Sequence, residues 1–350
     1  MTDFENLRGP DGLFPKDIAA ILATADPEKA RMLAKIGKVV IDHDRYQSAM
    51  DWLEDVYSEY DASREATCGI LHGQPGVGKS TILRKFVAKN GGPFETSGGT
   101  VRPVIRVVTP SNPTPGQIFD TLLKALGAEP FCVGSPSDRK AAVMRQLHMQ
   151  TVRLIIFDEF THVVEDRSEK FTKKATREIK EFLSEKHCQV VFAGTEELDR
   201  LHQIYPQIKR RSGGDFHLTP FDWEDDADKA EWKLVLELVE GVMLMKPRMT
   251  LHEGQMAKKL HQASLGNLDN LMKLLFRATA IAYDEGDEAI ALDILATAFE
   301  RMRRGSTADN PFGTPRLRDR RPRLVDPVED DELSNLSKRP RADRDSFAKA

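Results

Sequence analysis

The chain has 350 residues, which is enough for one large domain or two smaller ones. Hydrophobic residues make up 40 % and charged residues 30 %, with a formal net charge of −4, so we expect a substantial core and exclude a globally basic, nucleic-acid-binding surface. Three scattered cysteines argue against a disulfide framework or a zinc site and favour a reducing compartment. No apolar run reaches the ~18 residues of a membrane helix, and the acidic N-terminus lacks an apolar signal core, so we expect a cytoplasmic protein without membrane contact.

Four regions follow from the patterning along the chain. Residues 1–60 are predicted to be a helical N-terminal extension, in which an Asp-Pro pair suits a helix start. Residues 61–222 alternate short apolar runs with amphipathic stretches, which is typical of an α/β core with parallel strands. Residues 223–304 lose the strand pattern and are predicted to form a small all-α lid. Residues 305–350 carry many charges and few apolar side chains, which predicts a disordered charged tail.

Five strand candidates in the α/β region predict a parallel five-stranded sheet with helices on both faces, because most of them are short and almost entirely apolar. The strand candidates are Cys68–His72, Val104–Val108, Leu154–Phe157, Val190–Ala193 and Phe216–Leu218. The helices predicted between them are Ser80–Lys89, Gly116–Leu126, Ser137–Gln150 and Glu169–His187.

The most specific motif is "GQPGVGKS", which fits G-x-x-x-x-G-K-[ST] at every fixed position. Its glycines let successive backbone N–H groups turn inward, where they and the following helix N-terminus hold phosphate oxygens. Lys79 is expected to reach the β- and γ-phosphates, and Ser80 to ligate Mg²⁺. The alternative, a glycine-rich turn with a chance lysine, is disfavoured because an apolar strand precedes the motif and a helix follows it. The predicted nucleotide-binding residues here are Gly73, Gln74, Pro75, Gly76, Val77, Gly78, Lys79, Ser80 and Thr81.

A second motif, "RLIIFDEF", delivers two carboxylates to the end of an apolar strand, where open α/β sheets place their ligands. Asp158 is predicted to join the nucleotide-binding residues and to hold Mg²⁺ through water. Glu159 is predicted to orient and deprotonate the attacking water, which makes the protein a hydrolase rather than a nucleotide binder alone. An Asp-Glu pair after a strand is otherwise a common polar turn.

Two further features follow later strands. Thr195 ends the strand of "VVFAGTEEL" and either contacts the γ-phosphate or the attacking water, or caps the helix that follows. Arg210 and Arg211 precede the last strand. One of them is predicted to act in trans on the γ-phosphate of a neighbouring subunit, since a planar, permanently charged guanidinium suits that role, and the alternative is a pair of solvated arginines.

The order of these parts resembles an AAA+ ATPase, a P-loop NTPase, and more narrowly the TniB/TnsC family of transposition ATPases. The stretches that carry the resemblance are "GILHGQPGVGKSTILRKF", "VVTPSNPTPGQIFDTLLKALG", "LIIFDEFTHV", "VVFAGTEELDRL" and "RRSGGDFHLTPF". Within the third, His162 completes the D-E-x-x-H pattern of that family. One departure concerns the sensor arginine of many AAA+ lids, because Asp269 and Asn270 stand where it would fall and Lys273 lies about one turn further on.

The resemblance implies a regulator rather than a recombinase. Subunits with bound ATP and Mg²⁺ would assemble on double-stranded DNA as a homo-oligomeric ring or helical filament, with no strong sequence preference. They would mark the target and recruit a DDE-type transposase, with a TniQ-like targeting protein as a further partner. Hydrolysis of ATP would then disassemble them.

Two stretches are candidates for the DNA contact. A basic stripe at helical spacing opposes an apolar one in "RSEKFTKKATREIKEFLSEKH", although a solvated charged face is the ordinary alternative. The loop "TPSNPTPGQ" offers hydroxyl donors for phosphates, or is a structural turn. The residues predicted to contact DNA are Lys170, Lys173, Lys174, Arg177 and Lys180 in the first stretch, and Thr109 and Ser111 in the second.

Two functions compete with target selection in transposition. A helicase loader or replication initiator would share the same ATPase core, although the polar residues after the lid do not predict a winged helix. A signalling nucleotide switch would act without DNA, although no repeat or effector domain is evident.

Overall fold

The computed structural model describes residues 26–60, 66–110, 113–164, 188–204, 212–303 and 309–315. Across these ranges, no helix combines the length and the apolar character that crossing a membrane requires.

A parallel five-stranded sheet forms the centre of the molecule, in the order β4-β5-β6-β1-β7. Its strands are β1 (Cys68–His72), β4 (Val104–Val108), β5 (Leu154–Asp158), β6 (Gln189–Gly194) and β7 (Ser212–His217). A separate antiparallel hairpin is formed by β2 (Phe94–Thr96) and β3 (Gly99–Val101). Because all five strands of the main sheet are parallel, their carboxyl ends meet at one edge, where the phosphate loop, Glu159 and Thr195 follow their strands.

The helices alternate with these strands and then continue without them. Those before the last strand are α1 (Pro27–Gly37), α2 (Asp44–Ser58), α3 (Lys79–Asn90), α4 (Pro115–Ala125), α5 (Pro136–Met149), α6 (Thr161–Val164) and α7 (Arg200–Ile204). Those after it are α8 (Asp226–Val242), α9 (Gly254–Ser264), α10 (Leu268–Glu285) and α11 (Leu292–Met302). Short 3₁₀ turns occupy Glu129–Phe131 and Glu196–Asp199.

Each face of the sheet packs into its own apolar cluster, because successive side chains of a strand point to opposite faces. Ile70 of β1 belongs to the cluster that includes Leu122 of α4, whereas the next residue, Leu71, belongs to the cluster that includes Phe86 of α3. The prediction of a parallel five-stranded sheet with helices on both faces is therefore confirmed.

A third cluster holds the four helices after the sheet together with α1. Leu33 of α1 is buried in it, whereas Leu53 of α2 is buried against the sheet. The predicted N-terminal extension thus contributes one helix to the lid and one to the core. Phe312, inside the predicted tail, is 3 % exposed and lies edge-on to Phe299, and Asn310 donates to the Ala296 carbonyl, so this part of the charged stretch is anchored to the lid.

The boundaries of several elements differ from the predictions by a few residues. The helices α4 and α5 begin at a proline, one residue earlier than predicted, because Thr114 and Ser135 each form a capping box before it. Strand β7 begins at Ser212, whereas the predicted strand begins at Phe216. The earlier residues were not predicted because Gly213, Gly214 and Asp215 have low strand propensity. The hairpin β2–β3 was not predicted, and the predicted helix Glu169–His187 lies outside the described residues.

Candidate active site

The loop between β1 and α3 can only be built with glycine at its key positions. At Gly76, with φ of 83°, a Cβ atom would lie 2.7 Å from the side chain of Asn267, and a Cβ atom at Gly73 would lie 2.1 Å from the Leu218 carbonyl oxygen. Gly78 has φ of 107° and occupies the N-cap position of α3 without a capping side chain. No capping side chain therefore occupies the first turn of this helix, which is the arrangement that binds phosphate.

Lys79 opens α3 and lies over the loop. Its Nζ donates hydrogen bonds to the carbonyl oxygens of Gly73 at 2.7 Å and Gln74 at 2.9 Å. Burial lowers the pKa of this ammonium to about 8, while the nearby negative charge of Asp158 acts in the opposite direction. A ligand with several negative charges would reverse that shift, so the site is poised for an anion.

Asp158 ends β5 and is 2 % exposed. Its Oδ1 accepts from the backbone N–H of Glu159 at 2.9 Å, and its Oδ2 accepts from Arg106 Nε at 3.0 Å and Nη2 at 2.7 Å. Arg106 was not predicted as a site residue. The sequence did contain a signal for it, because Arg106 lies within the apolar run "PVIRVV" of a predicted buried strand. A buried guanidinium needs a carboxylate partner, and the acidic pair follows the next predicted strand.

Glu159 lies at the mouth of the same site with an exposed side chain. Its φ of 56° places it in the left-handed region, which is uncommon for a residue with a side chain. This turn ends the strand and brings the backbone N–H of Glu159 onto Asp158. The two neighbouring carboxylates are thereby separated, because Asp158 is buried whereas Glu159 is exposed and lines the cavity.

Thr195 follows β6 and faces the carboxyl end of β5. Its backbone N–H donates to Thr161 Oγ1 at 2.7 Å, and its hydroxyl donates to the carboxylate of Glu197. The hydroxyl does not cap the 3₁₀ turn that follows, so of the two predicted alternatives the helix cap is not formed. Gly194 permits this packing, because a Cβ there would lie 2.2 Å from Thr161 Oγ1.

These side chains line one cavity of about 890 Å³ between the sheet edge and the lid. From the core come Lys79, Ser80, Thr81, Arg106, Asp158, Glu159 and Thr195. From the linker between α1 and α2 and the start of α2 come Lys38, Val39, Val40, Ile41, His43 and Tyr46. From α10 come Leu268, Asp269, Met272, Lys273 and Phe276. The cavity is thus polar and cationic at the loop and largely apolar towards the linker and lid.

The lid touches the phosphate-loop backbone directly. Asn267 caps α10 with its side-chain oxygen and donates from Nδ2 to the Pro75 carbonyl at 2.8 Å, while the Asp269 N–H donates to the Gly76 carbonyl at 3.2 Å. Lys273 Nζ is paired with Asp269 Oδ2 at 2.5 Å on the cavity wall. Asn267 was missed by the sequence analysis, since nothing local distinguishes a cap that also reaches a distant loop.

On the linker side, the His43 side chain is held between core and lid. Its Nδ1 lies 3.1 Å from Glu231 Oε1 of α8, and burial lowers its pKa although the Glu231 carboxylate favours the charged form. Arg45 is paired with Asp228 of the same lid helix. The linker is thereby fastened to the lid at the apolar end of the cavity.

Some predicted residues are not brought to this site. Thr109 is 4 % exposed, so in this structure its side chain is not presented to a DNA surface as predicted; it follows β4, and its N–H donates to the Asp158 carbonyl. The backbone of His162 belongs to α6, and its side chain is not described. The predicted residues outside the described part of the chain are Arg210, Arg211, Ser111, Lys170, Lys173, Lys174, Arg177 and Lys180.

The oxygen donors around the loop suit a Mg²⁺ ion that is bound jointly by the protein and a nucleotide. They do not form a site in which protein ligands alone hold a metal ion. Ser80 and Asp158 line one cavity and supply a hydroxyl and a carboxylate, both oxygen donors. Among the residues that the structure describes, no group of three or more His, Cys, Asp or Glu side chains could hold a metal ion. Such a site requires phosphate oxygens and water to complete an octahedral shell, as Mg²⁺ in nucleotide sites does.

Comparison with known sequences identifies one family. A family model described as bacterial TniB protein matches residues 32–221, which is more than half of the 350 residues. The match includes the phosphate loop, Asp158, Glu159 and Thr195. No curated protein matches the chain.

Comparison with solved structures shows the fold. The Aeropyrum pernix ORC2 protein, in ADPNP-ADP complexes, has a TM-score of 0.56 and 16 % identity over 78 % of this chain and 72 % of its own. Cdc6p from Pyrobaculum aerophilum has a TM-score of 0.57 and 14 % identity over 77 % and 70 % of the two chains. The Aeropyrum pernix ORC1 protein in complex with DNA has a TM-score of 0.54 and 15 % identity over 77 % and 68 %. At these identities the likeness shows the AAA+ fold alone, and it confirms the predicted P-loop NTPase architecture.

Proposed function

The chain belongs to the bacterial TniB family, and from that premise we propose that it is a magnesium-dependent ATPase that regulates DNA transposition. The observation that carries the ATPase proposal is the convergence of Lys79, Asp158, Glu159 and Thr195 on one cavity closed by the lid. They come from three places, the phosphate loop and the ends of β5 and β6, and together they supply the parts that phosphoryl transfer to water requires.

In this proposal the backbone of the phosphate loop and the start of α3 bind the triphosphate, and Lys79 leaves the Gly73 and Gln74 carbonyls to contact the β- and γ-phosphates. The apolar wall formed by Val39, Ile41 and Phe276 suits the nucleotide base. A site with a cationic end and an apolar end is what a molecule with a triphosphate and a heteroaromatic ring requires.

Glu159 is proposed as the general base, because its exposed carboxylate faces the cavity beside the strand end. Asp158, held by hydrogen bonds from the Glu159 N–H and from Arg106, is assigned instead to the metal position, together with Ser80 of the same cavity. Mg²⁺ held by Ser80 and, through water, by Asp158 would neutralise phosphate charge during bond breaking. Thr195 is proposed to contact the γ-phosphate or the attacking water, which requires its hydroxyl to leave Glu197.

Arg210 or Arg211 is proposed to complete the site of a neighbouring subunit. A guanidinium in trans stabilises the charge of the transferred phosphoryl group, so hydrolysis would depend on assembly. We therefore propose that the protein works as a homo-oligomer, as a ring or a helical filament, on double-stranded DNA in the cytoplasm. The predicted partners are a DDE-type transposase and a TniQ-like targeting protein, which family membership supports.

The alternative of a replication initiator draws on the solved structures, whose names fall in the ORC and Cdc6 group. Identities of 14 to 16 % show the shared fold and no more. The TniB match, which spans the whole α/β core, favours the transposition role. A signalling switch that acts without DNA would differ from both in having no DNA-stimulated activity.

The experiment that tests the proposal is hydrolysis and binding by Glu159→Gln. We expect ATP turnover to fall by about 10²-fold or more, because the amide cannot accept the proton of the attacking water, while ATP binding is retained and the assembly on duplex DNA persists. Lys79→Ala should instead lose ATP binding, because the loop then lacks its cation.

The matched control is Glu237→Gln, the same substitution at an exposed position of α8, which should leave turnover and assembly unchanged. Rapid turnover by Glu159→Gln would remove this residue as the base. Wild-type protein that stays monomeric and hydrolyses no ATP with Mg²⁺ and duplex DNA would contradict the proposed function as a whole.

A further inference from the structure

Arg106 and Asp158 form a buried ion pair inside the cavity that holds the phosphate loop. Arg106 lies on β4, one strand away from Asp158 on β5, and the side chains are 10 % and 2 % exposed. The guanidinium places both Nε–H and Nη2–H on the same carboxylate oxygen, Oδ2. Both residues line the cavity that Lys79 and Ser80 also line, so the pair faces the proposed nucleotide site.

The hydrogen-bonding capacity of the Asp158 carboxylate is almost filled by this arrangement. An ionised carboxylate has about four lone-pair positions, two on each oxygen. Arg106 uses two on Oδ2, and the Glu159 N–H uses one on Oδ1. The role proposed above requires Asp158 to accept hydrogen bonds from water bound to Mg²⁺, and the described contacts leave about one position for that purpose.

The charge of Arg106 also opposes binding of a metal ion at Asp158. A guanidinium on the carboxylate neutralises the charge that would attract a divalent ion, and it repels that ion at short range. The same positive charge attracts a triphosphate. Arg106 therefore favours nucleotide entry and opposes metal entry at the same site.

Resting on the proposed ATPase function, we propose that Arg106 is a positioning residue that acts as the resident counter-cation of Asp158 and competes with the hydrated Mg²⁺ for it. In the nucleotide-free protein, Arg106 holds the Asp158 carboxylate in position without a metal. When nucleotide and Mg²⁺ are bound, the Nε–H and Nη2–H contacts to Oδ2 are given up, and the guanidinium turns towards the phosphate charge.

The test is equilibrium binding of a fluorescent ATP analogue by Arg106→Gln, with and without Mg²⁺. Without Mg²⁺, in the presence of a chelator, we expect affinity for the analogue to fall about tenfold, because a cation is removed from the cavity. With the analogue bound, we expect the Mg²⁺ concentration at half-saturation also to fall about tenfold, since its competitor is gone. The two changes have opposite effects on the complex, which general damage to the site cannot produce.

The matched control is Arg102→Gln, the same substitution four residues earlier. Arg102 donates to the Gln150 side chain and does not line the cavity, so both titrations should equal those of wild type. A parallel weakening of both titrations in Arg106→Gln, or no change in the Mg²⁺ titration, would overturn the proposal. Absence of nucleotide binding in wild type would instead contradict the proposed function.

A second measurement covers the case in which Arg106→Gln does not fold, since breaking a buried ion pair is strongly destabilising. In wild-type protein with ¹⁵N-labelled arginine, the Nε–H signal of Arg106, assigned with Arg106→Lys, should be protected from exchange when ADP is bound alone. Addition of Mg²⁺ should make this proton exchange faster by about tenfold or more, as the pair opens. Unchanged protection would show that the pair persists with the metal bound and would overturn the proposal.

Discussion

At the scale of single residues, Lys79 shows how the phosphate loop is prepared to bind an anion. Its ammonium is half-buried and donates to two carbonyls of its own loop, which offer it dipoles but no full negative charge. Burial lowers its pKa to about 8, so the cation is held at a free-energy cost that a phosphate would relieve. The nucleotide complex should therefore have a higher Lys79 pKa than the free protein.

Nucleotide binding is therefore expected to take up a proton in alkaline solution. The bound state holds more protons than the free state above the free-state pKa of about 8, so affinity should weaken as pH rises from there. Calorimetry in buffers of different ionisation enthalpy, between about pH 8 and about pH 9.5, measures the uptake directly; the terminal phosphate is already ionised in this range.

The matched variant for this linkage is Lys79→Arg, whose guanidinium stays charged throughout the same range. Its binding should show no proton uptake from this position and a flat dependence on pH. Equal uptake by Lys79→Arg and wild type would mean that another group titrates.

At the scale of secondary-structure elements, the N-terminus of α10 connects the lid to the phosphate loop. Asn267 fills two roles with one amide: its Oδ1 accepts from the backbone of Asp269 and Asn270, and its Nδ2 donates to the Pro75 carbonyl. Gly266 precedes it with φ of 66°, at a point where a Cβ would lie 2.0 Å from the Phe221 carbonyl. The start of α10 is thus held against the phosphate loop and against Phe221, which lies at the end of the core.

Substitution of Asn267 separates these two roles. Asn267→Asp keeps an oxygen for the cap but loses the Nδ2 donor and adds a negative charge beside the loop, so we expect near-normal thermal stability and weaker ATP binding. Asn267→Ala loses both, which should lower the free energy of unfolding by about 1 kcal/mol as well. Chemical denaturation and nucleotide binding, measured on both variants, distinguish these outcomes.

A variant Asn267→Asp that binds ATP as tightly as wild type would show that the lid contact has no part in binding. A large loss of stability in that variant would mean that the Pro75 contact supports the fold more than the site.

At the scale of the whole molecule, the N-terminal helices join core and lid around the cavity. Leu33 of α1 packs in the lid and Leu53 of α2 packs on the sheet, and the linker between these helices lines the cavity together with α10. A bound nucleotide would then contact core, linker and lid together, so that binding would order all three. This arrangement supports the proposal that ATP controls assembly.

The proposed contact with DNA is tested by charge reversal in the predicted basic stripe. The double variant Lys173→Glu, Lys174→Glu should bind duplex DNA more weakly and with a salt dependence that is smaller by about two units of slope, one for each phosphate that is no longer neutralised. The matched control reverses the charge of Lys258 and Lys259, two consecutive lysines on α9, and so changes the net charge equally.

Fluorescence anisotropy of labelled duplex over a range of salt concentrations measures both variants. Unchanged DNA binding by the Lys173, Lys174 variant would mean that this stretch is a solvated charged face that does not contact DNA. Equal losses in both variants would mean that net charge, rather than a particular surface, governs the binding.

The sequence by itself determined the features that depend on local chemistry. The spacing of Gly73, Gly78 and Lys79 predicts a phosphate loop because few other uses require those residues together. Short apolar runs predict buried parallel strands, and the order of the motifs led to the family that the TniB match confirms. Parallel strands share one edge, so Asp158 and Thr195 could be placed near the loop from the order of the strands and motifs alone.

Only the tertiary structure decided the contacts between residues distant in the chain. The pairing of Arg106 with Asp158 depends on which strands are neighbours, and the reach of Asn267 to Pro75 depends on how the lid closes. The division of the N-terminal helices between lid and core has the same origin, since both helices carry similar apolar stripes. Local patterns specify which face of an element is buried, but the partner of that face is chosen by packing across the whole molecule.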